Sequence, residues 1–345
     1  MGGLTSYSGI SAKLKAMQAK MLTEQDFEKI AQFPTVADAF SWLRKHPGYE
    51  KALASIPELD VHRGDVERVL NLSIYEDYQR IYHFADAGQR KFLTLYFKRY
   101  EVSLIKRCFR LAVDGKSVLP LLYGAEGFFA RHSKLNIQRL DDANSLAEAI
   151  AALEGSEYYA PLSRLMGEEV SLFDLEMALD MYYFAQIWKS RGKIASGADL
   201  AVLTEAFGAK FDMINLNWIA RSRRYSGLKP QNVLAMLIPV EHHIHRRDLK
   251  ALTAAETPEA FSEALAGTWY AKRYEVLTPQ TLEEGYVTVL KGTLEKESVK
   301  HPHSMAILWS YLYRKEHEVD RLTTALEGIR YGLDPAAILG LIHRE

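Results

Sequence analysis

The chain has 345 residues, 48% of them hydrophobic and 25% charged, and its 43 basic and 44 acidic side chains leave a formal charge of −1. That balance argues against a nucleic-acid binder, which carries a basic excess to displace counterions, and the apolar fraction is ample for a core. Cys108 is the only cysteine, so no internal disulfide framework is available and the cytosol suits the chain.

The opening Met1-Gly2-Gly3-Leu4-Thr5-Ser6 lacks a basic patch followed by an apolar run, so no secretory signal is expected. The longest stretch free of Asp, Glu, Lys and Arg runs from His301 to Tyr313 and is too short for a spanning helix, which needs about 20 apolar residues. Helix starts then recur along the chain, each a Ser or Thr followed three residues later by an acid. They are Thr23…Asp26, Thr35…Asp38, Ser145…Glu148, Ser171…Asp174 and Ser196…Asp199. The hydroxyl accepts from an orphan first-turn amide, and the acid suits the positive end of the helix dipole. Thr257-Pro258, Thr278-Pro279 and Asp334-Pro335 pair a cap with proline at the first helical position. Between the starts, apolar residues keep helical spacing, as in Val36, Ala39, Phe40 and Leu43. No alternating run bounded by hairpin turns stands out, and the pattern predicts an all-α fold.

One helix pattern appears three times, at Thr35-Val36-Ala37-Asp38-Ala39-Phe40, Ser145-Leu146-Ala147-Glu148-Ala149-Ile150 and Thr257-Pro258-Glu259-Ala260-Phe261. Nine residues beyond the large apolar residue stands a tyrosine: Tyr49, Tyr159 and Tyr270. A second pattern keeps the same order, at Tyr100-Glu101-Val102, Phe211-Asp212-Met213 and His317-Glu318-Val319. A glycine suited to a left-handed helix exit follows each, at Gly115, Gly227 and Gly332. Chance among amphipathic helices is one reading of this order. The other is three similar helical units, 1–118, 119–239 and 240–345, forming one body about a quasi-threefold axis.

Chemistry is hard to find. Asp114-Gly115-Lys116-Ser117 ends like a phosphate loop, but Arg110 stands where that loop needs a glycine, so no nucleotide is expected there. In Glu241-His242-His243-Ile244-His245, His242 and His245 could share a helical face and offer two imidazoles to zinc. No cysteine or regularly spaced carboxylate completes that set, and a solvated helix start is the other reading. Cys108, among Leu104, Ile105, Phe109 and Leu111, reads as a small buried apolar residue. The basic clusters Lys98-Arg99, Lys106-Arg107…Arg110, Arg221…Arg223-Arg224 and Arg246-Arg247 read as solvated helix faces or as a docking patch. Leu172 to Trp188 is apolar nearly all round, which predicts a helix inside a bundle or one with a side covered by a partner. No residue is assigned to catalysis, to a cofactor or to a metal.

The segment Tyr7-Ser8-Gly9-Ile10-Ser11-Ala12-Lys13-Leu14-Lys15-Ala16-Met17, followed by Met21-Leu22-Thr23, resembles the N-terminal helix of the C subunit of rotary V-type/A-type ATPases. Its eukaryotic counterpart is the d subunit of the V-ATPase. The resemblance continues through Thr35-Val36 to Tyr49, Glu67 to Tyr82 and Tyr313…Glu316-His317-Glu318-Val319, and ends in Arg330-Tyr331-Gly332-Leu333. It implies a funnel of three helical units without an active site or cofactor. It also implies a central-stalk adaptor that joins the rotor shaft to the cytoplasmic face of a membrane ring of ion-carrying subunits. Such a protein is cytoplasmic, peripheral to the membrane, and serves H+ or Na+ transport linked to ATP hydrolysis or synthesis. The family supplies no short motif that would name the shaft-binding or ring-binding residues. A free-standing helical scaffold that binds a partner protein or peptide is the alternative.

Overall fold

The computed structural model describes residues 2–54, 63–122, 124–167, 170–225 and 229–343. All regular structure among the described residues is helical, as the caps and the 3.6-residue spacing predict. After α1 (Gly2–Gln18) come three short helices, α2 (Glu24–Ala31), α3 (Val36–Leu43) and α4 (Glu50–Leu53), then two long ones, α5 (Arg63–Phe84) and α6 (Ala87–Val113). Two short helices, α7 (Leu119–Leu122) and α8 (Glu126–His132), lead into the next series. It repeats the order, with short α9 (Ile137–Asp141), α10 (Leu146–Ala151) and α11 (Tyr159–Ser163), then long α12 (Leu172–Ile194) and α13 (Gly197–Tyr225). α14 (Pro230–Ala235) is followed by α15 (Arg246–Ala254) and α16 (Pro258–Ala266), then long α17 (Leu282–Lys300) and α18 (Ala306–Arg330), and finally α19 (Pro335–Ile342).

Seven of the eight predicted helix starts open a helix at the next residue. Thr23, Thr35, Ser145, Ser171, Thr257 and Asp334 each accept the backbone N–H three residues on. Each such cap contributes about 1 kcal/mol. α13 likewise starts at Gly197, directly after Ser196, and Asp199 Oδ1 also accepts the Met305 N–H at 2.7 Å. One start differs. Thr278-Pro279 opens a turn rather than a helix, because the Thr281 hydroxyl accepts the Thr278 N–H at 3.2 Å and also donates to the Val276 carbonyl. α17 starts only after Thr281.

The predicted left-handed exits hold at Gly115 and Gly332, with φ of 62° and 68°. Behind each, the two N–H groups that end the helix return to carbonyls of its last turn, from Gly115 to Ala112 and Lys116 to Leu111, and from Gly332 to Ile329 and Leu333 to Gly328. Gly227 lies outside the described residues.

The chain divides into two compact units. One comprises Met1–Leu93, Val118–Lys134 and Ile307–Glu345, the other Thr94–Ser117 and Leu135–Ala306. In the first, α1 and α4 pack on α5, and α2 packs on α19. Phe27, Phe40, Tyr49, Tyr78 and Phe92 are among its fully buried side chains. In the second, α13 lies along α17 and beside α12, and α15 packs on α14 and α16. Its core joins Met213 and Leu216 of α13 to Leu252 of α15, Phe261 of α16 and Val289 of α17. Burying each such side chain contributes about 1.5–3 kcal/mol.

α12 corrects the reading of an internal helix. Leu175, Leu179, Tyr183, Phe184 and Ile187 are buried, but Leu172, Met177, Met181, Tyr182 and Trp188 are half-buried and Phe173 is 58% exposed. The buried set recurs every three or four residues, so α12 has one core face like an ordinary surface helix.

Candidate functional site

The two patterns read from the sequence meet as three hydrogen bonds of one kind. Tyr49 donates its hydroxyl proton to Glu318 Oε1 at 2.6 Å, Tyr158 to Glu101 Oε2 at 2.8 Å, and Tyr270 to Asp212 Oδ2 at 3.1 Å. All six side chains are buried. Glu101, Asp212 and Glu318 occupy the same place in the second repeated pattern, directly before Val102, Met213 and Val319. Each carboxylate therefore sits on a long helix and holds the turn that follows a short one. In the first and third pairs it also holds the chain entering another short helix. Glu318 Oε2 accepts the Leu22 N–H at 2.6 Å, just before the α2 cap, and Asp212 Oδ2 accepts from His243 at 2.8 Å and Ile244 at 3.1 Å, just before α15.

The second tyrosine corrects the sequence reading. Tyr158, not Tyr159, makes the bond, and Tyr159 is only half-buried. Counting from the large apolar residue of the short helix misplaces it by one. The better anchor is the leucine eight residues after each cap: Leu43, Leu153 and Leu265, all fully buried. From it the tyrosine follows after six residues in the first copy but after five in the others. The additional residue lies in the turn holding Pro47 and Gly48.

Burial, and next the carboxylate beside each, push the hydroxyls of Tyr49, Tyr158 and Tyr270 well above the usual tyrosine range. They remain proton donors at any ordinary pH. Lys315 Nζ lies 2.8 Å from Glu318 Oε1, with both side chains 3% exposed, and 4.1 Å from the Tyr49 ring centroid. Burial raises the Asp212 carboxyl to about 6, against the lowering effect of its backbone hydrogen bonds. Its Oδ1 is buried without a hydrogen-bond partner.

The remaining candidates resolve individually. Gly115-Lys116-Ser117 follows the C-terminus of α6, where exposed carbonyls disfavour a phosphate, whereas a phosphate loop leads into a helix N-terminus. Arg110 forms a two-pronged bond to Glu176, at 2.7 and 2.8 Å, and Lys116 pairs with Asp114 at 3.2 Å. Cys108 is buried, and burial raises its thiol to about 12, so it stays an inert apolar residue. Lys106 pairs with Asp180 at 2.6 Å, which with Arg110–Glu176 makes two rungs between α6 and α12. Lys98 pairs with Glu157, and Arg223 donates to the carbonyls of Ala255, Glu256 and Thr257 beyond the end of α15. Lys98, Lys106 and Arg223 thus tie elements together, while Arg107, Arg110, Arg221, Arg246 and Arg247 are exposed, as a solvated face requires.

The histidine segment is neither a helix face nor wholly solvated. His245 immediately precedes α15 and its side chain is 53% exposed, while His242 and His243 turn inward. Their Nε2 atoms lie 3.2 and 3.1 Å from Oε2 and Oε1 of Glu205 on α13, which holds that carboxyl well below the usual range. The His243 ring stacks on Trp269, with centroids 3.7 Å apart and planes 7° from parallel. The His242 ring occupies the space beside Gly208, where an added Cβ would come within 2.4 Å of His242 Cγ. Glycine inside a helix costs about 1 kcal/mol relative to alanine, and close approach of this ring accounts for it. Glu205, His242 and His243 are the described residues whose ligand atoms fit together around a metal ion. The sequence reading paired His242 with His245 and missed Glu205, which lies 37 residues away and meets the loop only through the fold.

No helix among the described residues is long and apolar enough to cross a membrane. The whole-chain resemblance is matched by comparison with known proteins. The C subunit of the A-type ATP synthase of Thermococcus kodakarensis is 24% identical over 344 residues, covering 97% of this chain and 89% of that protein. The C subunit of the Pyrococcus horikoshii A-type ATP synthase is 23% identical over 98% of this chain and 90% of its own length. That of Methanothermobacter thermautotrophicus is 26% identical over 90% of this chain and 81% of its own. The ATP synthase (C/AC39) subunit family matches residues 10–341, which takes in the capped short helices, the long helices and all three tyrosine–carboxylate pairs. With nearly the whole chain covered, the protein belongs to that family, which is the family of the C subunit of V/A-type rotary ATPases.

Proposed function

We propose that the chain is the non-catalytic central-stalk adaptor of a V/A-type rotary ATPase, coupling the rotor shaft to the membrane ring. On this reading it sits on the cytoplasmic side, peripheral to the membrane, and serves H+ or Na+ transport linked to ATP hydrolysis or synthesis. The match of the family across residues 10–341 carries the proposal. Torque transmission needs a stiff body rather than a reactive group, and close-packed helices provide one. The buried tyrosine–carboxylate bonds suit that task, because each ties a short-helix turn to a long helix where water cannot compete. The three units 1–118, 119–239 and 240–345 are proposed to surround a quasi-threefold axis, as the recurring pairs suggest. Contact with the ring would use the exposed ends of its helices and be mixed in polarity.

The test is reconstitution of the membrane enzyme with and without this protein. The expected result is ATP hydrolysis by the soluble head that no longer drives ion transport when the adaptor is missing. Ion pumping undiminished in its absence would remove the adaptor role and leave the scaffold reading.

A further inference from the structure

We infer that Glu205, His242 and His243 form a binding site for a divalent transition-metal ion, Zn2+ being the natural occupant, that staples the loop before α15 to α13. The donor set is one carboxylate and two imidazoles, which suits zinc and its first-row neighbours rather than calcium or magnesium. The spacing suits it as well. The two histidine nitrogens lie 3.2 and 3.1 Å from the glutamate oxygens, and all three ligand atoms fall within 4.8 Å of one another. The edge of a tetrahedron with metal–ligand bonds of about 2.1 Å is about 3.4 Å, so small side-chain movements admit the ion. Three protein ligands leave the fourth position to water.

The site is a feature of one copy only. Glu205 stands seven residues before the clamp carboxylate Asp212, where the other copies have Thr94 and Tyr311. Gly208, four residues before it, corresponds to Phe97 and Arg314. His242-His243 precede Ile244 and the cap, where the others have Lys20-Met21 before Leu22 and Ser133-Lys134 before Leu135. The shared architecture therefore needs none of these four residues. They occur together where they touch, and Gly208 weakens its helix to make room for the His242 ring. His243 is fixed from two further sides, by its ring on Trp269 and by its N–H on Asp212. Such support holds a ligand ring in one orientation. Binding requires each Nε2 to present its lone pair, with the ring proton on Nδ1.

The test uses the full-length protein, stripped with a chelator and titrated with Zn2+ alone and with Co2+ as a spectroscopic probe. One equivalent of Zn2+ is expected to bind, with a rise in Tm, and Co2+ is expected to give the visible d–d bands of a four-coordinate nitrogen and oxygen site. Glu205→Gln should weaken Zn2+ binding by about tenfold or more. Gly208→Ala should do the same while keeping the helical circular dichroism of the parent, since it displaces His242 and favours the helix. His245→Ala should bind as the parent does. Uptake well below one equivalent would overturn the site. So would Zn2+ affinity unchanged in both Glu205→Gln and Gly208→Ala, or weakened only in His245→Ala.

Discussion

Two of the buried clamps use the same bond in opposite electrostatic settings. At Glu318 the carboxylate receives the Tyr49 hydroxyl, the Leu22 N–H and the Lys315 ammonium, so its charge is matched by a cation buried beside it. At Asp212 the carboxylate receives the Tyr270 hydroxyl and two N–H groups, one oxygen is left unpartnered, and among the described residues no ammonium or guanidinium group bonds to it. Burial disfavours a charge, and neutral donors offset only part of that cost, so Asp212 titrates at about 6. Geometry is thus shared between the copies while charge compensation is not. The clamp position requires an acceptor for a tyrosine proton and a backbone amide, and an acidic side chain meets that need with or without a cation.

The largest effect expected from this difference is at Glu318. Glu318→Gln leaves Lys315 buried without its anion and should lower stability by about 3–5 kcal/mol, read as a reduced urea midpoint. Adding Lys315→Met should recover most of the loss, because it removes the stranded charge. The equivalent change Asp212→Asn strands no charge and should cost about 1 kcal/mol or less at pH 7. Equal losses from Glu318→Gln and Asp212→Asn would break the comparison.

Next comes pH. Asp212 has a folded value of about 6, above the ordinary carboxylate value of 3.8, so between these values the folded state holds more proton than the unfolded one. Stability from this group is therefore full below about pH 4 and is lost as pH rises through 6, by roughly 3 kcal/mol at most. The groups around it are the Tyr270 hydroxyl, the amides of His243 and Ile244, and the His242 ring, whose charge would lower the value. In metal-free buffer, the slope of unfolding free energy against pH over this window should be more positive in Asp212→Asn than in the parent. An unchanged slope would show that Asp212 is ionised throughout.

Much of this was legible in the sequence, and the parts that were not have physical reasons. Short capped helices announce themselves locally, since a hydroxyl and an acid three residues apart serve amides within one turn, as at Thr23 and Asp26. The recurrence of acid-before-apolar at Glu101, Asp212 and Glu318 was visible, but its meaning was not, because partners such as Tyr49 and Glu318 lie at opposite ends of the chain. Thr278-Pro279 misled because the Thr281 hydroxyl takes the N–H of Thr278 itself and closes a turn, so the helix begins only after it. Glu205 was missed for the same reason as the clamps. A carboxylate on a long helix is ordinary until the loop that reaches it is known.

The smallest effects separate the tyrosines from one another. A hydrogen bond to a charged group contributes about 1.5–3 kcal/mol, so Tyr49→Phe and Tyr158→Phe should each cost that much and no more, since the ring keeps its packing. Tyr270→Phe should cost less at pH 5 than at pH 7, because Asp212 is then mostly protonated and the bond is one between neutral groups. Tyr159→Phe, one residue from the clamp and half-buried, should lie within about 0.5 kcal/mol of the parent. Ordering these four variants by urea midpoint tests the correction at Tyr158 directly. If Tyr159→Phe proved the costlier of the adjacent pair, the second clamp would be built as the sequence spacing predicts, and the turn after α10 would carry the same additional residue as the turn after α3.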